Sequence, residues 1–367
     1  MVRVGTSSDE TAPRVHSIVK QIGYAPKAVH MTPLHAPITA FQHLTPQQQA
    51  AYGAIFGALA ADAAGATLEF LRRNPTQTEV DEALQMVGGG VLRTAPGQIT
   101  DDGELTLASL HALTGQQKFS IDRVASAYVV WANSNPFDIG NTTANALLHT
   151  STKAMKGLGN IVLSAARTNN MQSKANGALM RATALAVWST RVSLAEAIDA
   201  AKLDCQLTHP NPSCQYANAA YVVAIRHLVM QPSDRAGALQ AAAQTLEDEA
   251  ASEVKGWFEH ALADGDEPCH PLAGFVKIAF TLAFKHLAKG STYQTAITET
   301  LLGGGDTDTN ACIVGGLVGA LHGVASIPSV MTQALLTCDT QVGRPRPEVY
   351  STRNLPRLVQ GLLQQQP

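Results

Sequence analysis

The chain has 367 residues, of which 45% are hydrophobic and only 15% charged, with a formal net charge of −3. That is enough apolar material for a large core, and the lack of a basic stripe argues against nucleic acid as a main partner. Aromatic residues are scarce at 5%, while alanine is abundant between residues 50 and 250, a composition that lets helices approach closely and favours an all-α fold.

Residues 1–45 hold no sustained apolar period, and Pro13, Pro26, Pro33 and Pro37 break any helix longer than three turns. This segment reads as an extended N-terminal arm, and residues 46–365 as one large helical domain. Met1–His16 contains no apolar signal-peptide core. Five scattered cysteines (Cys205, Cys214, Cys269, Cys312, Cys338) form no C-x-x-C and read as reduced thiols of a cytoplasmic protein. The body starts at Thr45-Pro46, an N-cap followed by proline at the first helical position. From there the pattern predicts helices near 46–62, 103–114, 121–133, 141–156, 176–188, 193–206 and 212–229. Further helices are expected near 235–248, 250–263, 271–288, 291–302, 308–323, 328–337 and 354–364, and strand signals are almost absent. Ala311–Ile327 is the longest apolar run, but its glycines and His322 make it a buried core helix rather than a membrane span.

Chemistry concentrates in a few segments. Gly303-Gly304-Gly305-Asp306-Thr307-Asp308-Thr309-Asn310 packs glycines, carboxylates and hydroxyls into one turn ahead of an apolar run with helical spacing, Ile313, Gly316, Leu317, Ala320 and Leu321. Thr100-Asp101-Asp102 opens another helix in the same way. Either cluster alone can be a helix cap. The glycines weigh against that reading, because a cap needs no such backbone freedom, whereas close approach of Gly304 and Gly305 to a ligand does. Taken together, four carboxylates and up to three hydroxyls are hard oxygen donors suited to Mg²⁺, Mn²⁺ or Ca²⁺. Asp62, Gly65 and Glu69 share one face if the segment is helical; Asp62 is then buried and reads as a structural hydrogen-bond acceptor at a neighbouring helix end. Glu69, at the helix exit, is the better candidate for metal contact or proton transfer. Asn176-Gly177 at a predicted helix start and Thr208-His209-Pro210 in a sharp loop read as binding elements or as local structure. A prenyl-diphosphate enzyme built on Asp101-Asp102 fails on spacing, since D-D-x-x-D needs an acid where Leu105 stands.

In order, these segments spell D-A-x-G-x-x-x-E, T-D-D-G-E-L-T-L, N-G-A-L-M-R, T-H-P-N-P and G-G-D-T-D-T-N-A. The set resembles the ADP-ribosylglycohydrolase family, which includes dinitrogenase-reductase-activating and arginine-specific ADP-ribosylhydrolases, from about residue 50 to the Gly343–Glu348 segment. The resemblance implies an all-α fold with two magnesium ions in a cleft and Thr100, Asp101, Asp102, Asp306, Asp308 and Thr309 as ligands. It places Glu69 near the metals and Asn176, Gly177 and His209 around the ADP-ribose. The implied activity is removal of ADP-ribose from a modified protein side chain, most readily arginine, with Glu69 or a bridging aspartate such as Asp101 or Asp306 handling the proton. A branch of the family protects against ADP-ribosyltransferase toxins, and the arm is what such an immunity protein could insert into a toxin. No membrane contact is expected.

Overall fold

The computed structural model describes residue 41 and residues 43–148 and 156–363, so nearly all of the expected arm lies outside the described residues. Within them the chain forms helices α1 (Pro46–Gly65), α2 (Gln77–Ala83), α3 (Asp101–Leu113), α4 (Ile121–Ala132), α5 (Asn141–Leu147), α6 (Leu158–Asn170), α7 (Ala182–Trp188) and α8 (Leu194–Gln206). There follow α9 (Pro212–Met230), α10 (Arg235–Thr245), α11 (Ser252–Leu262), α12 (Val276–Lys289), α13 (Tyr293–Leu302), α14 (Thr307–His322), α15 (Ser329–Thr337) and α16 (Leu355–Leu363). Among the described residues there is no strand, only two isolated bridges, Gly89 with Thr94 and Ala175 with Phe275. No described helix is long and apolar enough to cross a membrane.

α1 and α14 form the antiparallel centre. α1 is buried from Ala50 to Gly65 and α14 from Thr307 to Leu321. A Cβ on Gly53 would lie 2.1 Å from the Gly319 carbonyl oxygen, one on Gly57 2.3 Å from that of Gly315, and one on Gly65 2.5 Å from that of Thr307. The two backbones therefore touch along the whole crossing, which only glycine permits. Tyrosines from the surrounding helices close the seam: Tyr293 donates to the Gly57 carbonyl at 2.7 Å and Tyr221 to that of Ile313 at 2.9 Å. At its start α1 carries a capping box, Thr45 with Gln48, and Phe41 packs edge-on against Phe56 with ring centroids 5.1 Å apart.

Several boundaries differ from the sequence pattern. α2 is new, though its Thr76–Glu79 capping box was a readable start signal. α6 is also new, and its first turn is capped from another helix: the Gly157 and Gly159 amides donate to Asp122 of α4 at 2.9 and 2.8 Å. A cap drawn from 35 residues away leaves no local signal. The helix expected from 176 starts at Ala182, because Asn176–Met180 forms a turn whose Leu179 and Met180 amides both return to the Asn176 carbonyl. The helix expected from 271 starts at Val276, after a turn that closes from the Phe275 amide to the Leu272 carbonyl. α5 ends at Leu147, and the rest of the helix expected to 156 falls largely on 149–155, outside the described residues.

The glycine seam yields a paired prediction. Gly315→Ala places a Cβ 2.4 Å from the Gly57 carbonyl, and the steric cost of about 1–3 kcal/mol should exceed the roughly 1 kcal/mol gained in helix propensity. Gly256→Ala, inside α11 with nothing within 4 Å of the new Cβ, should be neutral or stabilising. Thermal unfolding of the two variants checks this: equal shifts would mean that the seam is not under backbone contact.

Candidate metal centre

The acidic residues collect where α1 ends and α3 and α14 begin. Asp62, inside α1, accepts hydrogen bonds from the Thr100 amide (3.2 and 3.1 Å), the Thr100 hydroxyl (2.8 Å) and the Gly103 amide (2.9 Å). It thus caps α3 from a neighbouring helix, the structural role read for it from the sequence. A Cβ on Gly103 would lie 2.6 Å from Asp62 Oδ2, so the glycine is what admits the carboxylate. With Asp62 in that role, Thr100 stands at the N-cap of α3 without using its side chain as a cap. Asp306 at the N-cap of α14 does the same. The capping explanation for these two clusters therefore fails on geometry.

α1 stops at Gly65, and a run of turns carries Glu69 over the start of α14. There the Thr307 amide donates to Glu69 Oε2 at 2.9 Å, with the Thr307 hydroxyl 3.2 Å from the same oxygen. One carboxylate oxygen each from Asp62, Asp102 and Asp308 lie within 4.8 Å of one another, and so do oxygens of Glu69, Asp306 and Asp308. Asp308 belongs to both groups. The Thr309 hydroxyl lies 3.3 Å from Asp102 Oδ2, and the Thr100 hydroxyl 3.2 Å from the same oxygen. Asp101 is in neither group: its carboxylate takes the Gly140 amide and faces Asp138.

Among the described residues none of these six carboxylates has a Lys or Arg ion-pair partner. Burial, then the neighbouring acids, pushes the Asp101, Asp102 and Asp308 carboxyls well above the usual range. Burial raises Asp62 to about 7, and burial with the charge of Asp306 raises Glu69 to about 8. Asp102 Oδ1 is buried with no hydrogen-bond partner. Crowded like charges must protonate or receive a counter-charge, and an orphaned carboxylate oxygen amid hard oxygen donors fits a divalent cation.

Of the expected binding residues, Asn176 touches this cluster directly. Asn176 Nδ2 donates to Asp306 Oδ2 at 2.8 Å. His209 lies beneath Gly177, where a Cβ would be 3.0 Å from its Cε1 and 3.3 Å from its Nε2. Gly304 and Gly305 adopt φ of +67° and +77°, and a Cβ on Gly305 would lie 2.6 Å from the Cys269 carbonyl oxygen. That freedom serves close packing, Gly305 against Cys269 and Gly304 against Asn74, whose Oδ1 would lie 3.0 Å from a Cβ there. Asp138 was missed altogether. It stands on the loop between α4 and α5, which Arg346 holds by donating to the Ser134 and Asn135 carbonyls at 2.8 and 2.9 Å while paired with Glu104 of α3. No local pattern marks it, since only the fold brings it beside Asp101.

Asp62 and Glu69 hold protons more tightly in the folded than in the unfolded chain. The stability they contribute is therefore complete below about pH 4 and lost as pH rises through about 7 to 8. In EDTA the unfolding temperature should fall over that interval, and saturating Mg²⁺ or Mn²⁺ should remove the fall. A pH-independent midpoint in EDTA would show that the carboxylates are not under mutual strain.

The family model described as ADP-ribosylglycohydrolase matches residues 44–364. A protein of Acanthamoeba polyphaga mimivirus with the provisional name of an ADP-ribosyl glycohydrolase is 32% identical over 310 residues, 78% of this chain and 91% of its own. ADP-ribosyl-(dinitrogen reductase) glycohydrolase of Rhodospirillum rubrum is 26% identical over 284 residues, 76% of this chain and 87% of its own. ADP-ribosylarginine hydrolase Tri1 of Pseudomonas putida (strain GB-1) is 29% identical over 298 residues, 78% of this chain and 74% of its own. A solved structure titled as an ADP-ribosylglycohydrolase-related protein complex superposes with a TM-score of 0.68 at 22% identity, covering 87% of this chain and 98% of that one, a likeness of fold. With the family match spanning nearly the whole described body, the chain belongs to the ADP-ribosylglycohydrolase family.

Proposed function

We propose that the protein is a magnesium-dependent hydrolase that cleaves the N-glycosidic bond between ADP-ribose and an arginine side chain of a modified protein. The observation that carries this reading is the pair of oxygen clusters sharing Asp308, in a chain of this family. Arginine as acceptor is supported by the likeness to a protein named ADP-ribosylarginine hydrolase. Two Mg²⁺ ions, with Mn²⁺ as a substitute, would be held by Thr100, Asp101, Asp102, Asp306, Asp308 and Thr309. When bound they supply Lewis-acid polarisation and a coordinated water of lowered pKa.

The chain's own residues do the rest. Asn176 fixes the Asp306 carboxylate through its 2.8 Å bond. Asp101 and Asp306 stabilise positive charge developing at the anomeric carbon, as paired carboxylates do in other glycosyl transfers. Glu69, oriented by Thr307, handles the proton exchanged between water and the departing side chain. Gly304, Gly305, Asn176, Gly177 and His209 line the space for the ADP-ribosyl group.

Activity should vanish in EDTA and return with Mg²⁺ or Mn²⁺. Asp308→Ala should remove nearly all turnover with helical circular dichroism unchanged. Glu69→Gln should lower kcat by about 10²–10⁴ while ADP-ribose still binds. Hydrolysis of serine-linked but not arginine-linked ADP-ribose would overturn the acceptor, and full activity of Asp308→Ala would overturn the metal centre.

A second reading concerns residues 1–45. The family match begins at residue 44, which leaves the preceding segment as an addition to the shared fold. We propose it as the arm through which the protein binds and occludes a cognate ADP-ribosyltransferase toxin. Removing residues 1–40 spares Phe41 and the Thr45 cap. It should leave hydrolysis intact and weaken the toxin complex at least about tenfold, roughly 1.4 kcal/mol. Unchanged affinity would dismiss the arm.

A further inference from the structure

Arg181 is fully buried, and its role is not explained by the metal centre. Its guanidinium lies over the Tyr128 ring, 4.5 Å from the centroid, and pairs with Asp204 through Nε at 3.4 Å. Tyr128 donates to the other oxygen of the same Asp204 at 2.8 Å. The remaining donors of the guanidinium divide between two segments. NH1 reaches the Gly177 carbonyl at 3.0 Å. NH2 reaches the Asp204 carbonyl at 3.2 Å and the Thr208 hydroxyl at 2.9 Å. One buried cation thus joins the Asn176-Gly177 turn, which touches Asp306, to the Thr208-His209 loop.

The Thr208 hydroxyl has a further partner, His209 Nδ1 at 2.8 Å. An arginine can only donate, so Thr208 Oγ1 accepts from Arg181 and has one hydrogen left to place. Among the described residues the only acceptor for that hydrogen is His209 Nδ1, and an Nδ1 that accepts leaves the ring hydrogen on Nε2. The Nε2–Cε1 edge of the ring is the edge that faces Gly177, and the missing Cβ there is what lets the ring come so close. Burial and the Arg181 charge also hold the His209 pKa down, to about 3, so the ring is neutral.

We propose that Arg181 is a positioning residue that, through the Thr208 hydroxyl, locks His209 as the tautomer with its hydrogen on Nε2, making the ring a neutral N–H donor at Gly177 for an oxygen of the ADP-ribosyl group. The inference rests on the proposed reading for its ligand only; the tautomer stands on the hydrogen bonds alone. A neutral donor suits this place. An imidazolium would set a second buried positive charge close to that of Arg181, whereas a neutral N–H can bind an anionic or hydroxyl oxygen without that cost.

Replacing Arg181 would strand Asp204 in the interior and risk unfolding, so the test cuts the link at Thr208. Imidazole ¹⁵N NMR of the full-length protein reads the His209 tautomer, and calorimetry reads ADP-ribose affinity in Mg²⁺. The wild type should show a hydrogen on Nε2 and none on Nδ1. Thr208→Val should lose that single tautomer and weaken ADP-ribose at least about tenfold with helical circular dichroism unchanged, and Thr208→Ser should restore both. A hydrogen on Nδ1 in the wild type, or a Thr208→Val protein with wild-type tautomer and affinity, would overturn the proposal. A wild type with the expected tautomer that binds no ADP-ribose would instead sink the functional reading and the ligand assigned to His209.

Discussion

The contact on which the molecule depends is the backbone seam between α1 and α14. Gly53 and Gly57 meet Gly319 and Gly315 at distances that exclude any Cβ, and Gly65 meets Thr307 and Asp308 in the same manner. Close approach of two helices is favoured by the small residues that also recur throughout this alanine-rich core, so the seam and the composition are one choice made at two scales. Its consequence for chemistry is direct. The acids of α1 and of the turn after it can face the acids at the start of α14 only while the two axes are this near. A pair of leucine-lined helices, spaced by about 8–10 Å, would hold the carboxylates too far apart to share a cation.

The second constraint is electrostatic. Each helix N-terminus favours a nearby anion through its free amides and dipole, and α3 and α14 both begin at the cluster. That attraction explains how so many carboxylates can be buried without a lysine or arginine among them, but it does not neutralise them. A bound cation would complete the balance. Basic residues are kept at one remove: Arg346 is spent on Glu104 and the loop bearing Asp138, and Arg181 on Asp204 and the loop bearing His209. Both arginines shape the site without discharging it.

Much of this was legible in the sequence, for identifiable reasons. Apolar spacing from Ile313 to Leu321 gave α14, and Thr45-Pro46 gave the start of α1, since both signals are local. Three of the five ordered motifs carry the acids that converge, Asp62, Glu69, Asp102, Asp306 and Asp308, and burial of Asp62 followed from its place on a helix. What could not be read was set by partners far along the chain. The cap of α6 comes from Asp122, and the turn at Asn176 replaces a helix start because Arg181 and Gly274 bind its backbone. Asp138 joined the site for the same reason. The glycines before Asp306 were read as a close approach to a ligand, and the backbone that Gly304 and Gly305 closely approach is that of Asn74 and Cys269, a contact no local pattern announces.

The seam also has a meaning in time. Gly65 and Thr307 touch across 242 residues of chain, so on a growing polypeptide α1 is made long before the helix that covers it. Until then the glycine face of this helix has no partner, and closing so long a loop is slow. The centre of the protein therefore cannot close until α14 has been made. A chain interrupted before residue 306 lacks Asp306, Asp308 and Thr309 together with the helix that covers α1, so cation binding would report on completion of the whole fold rather than on any part of it.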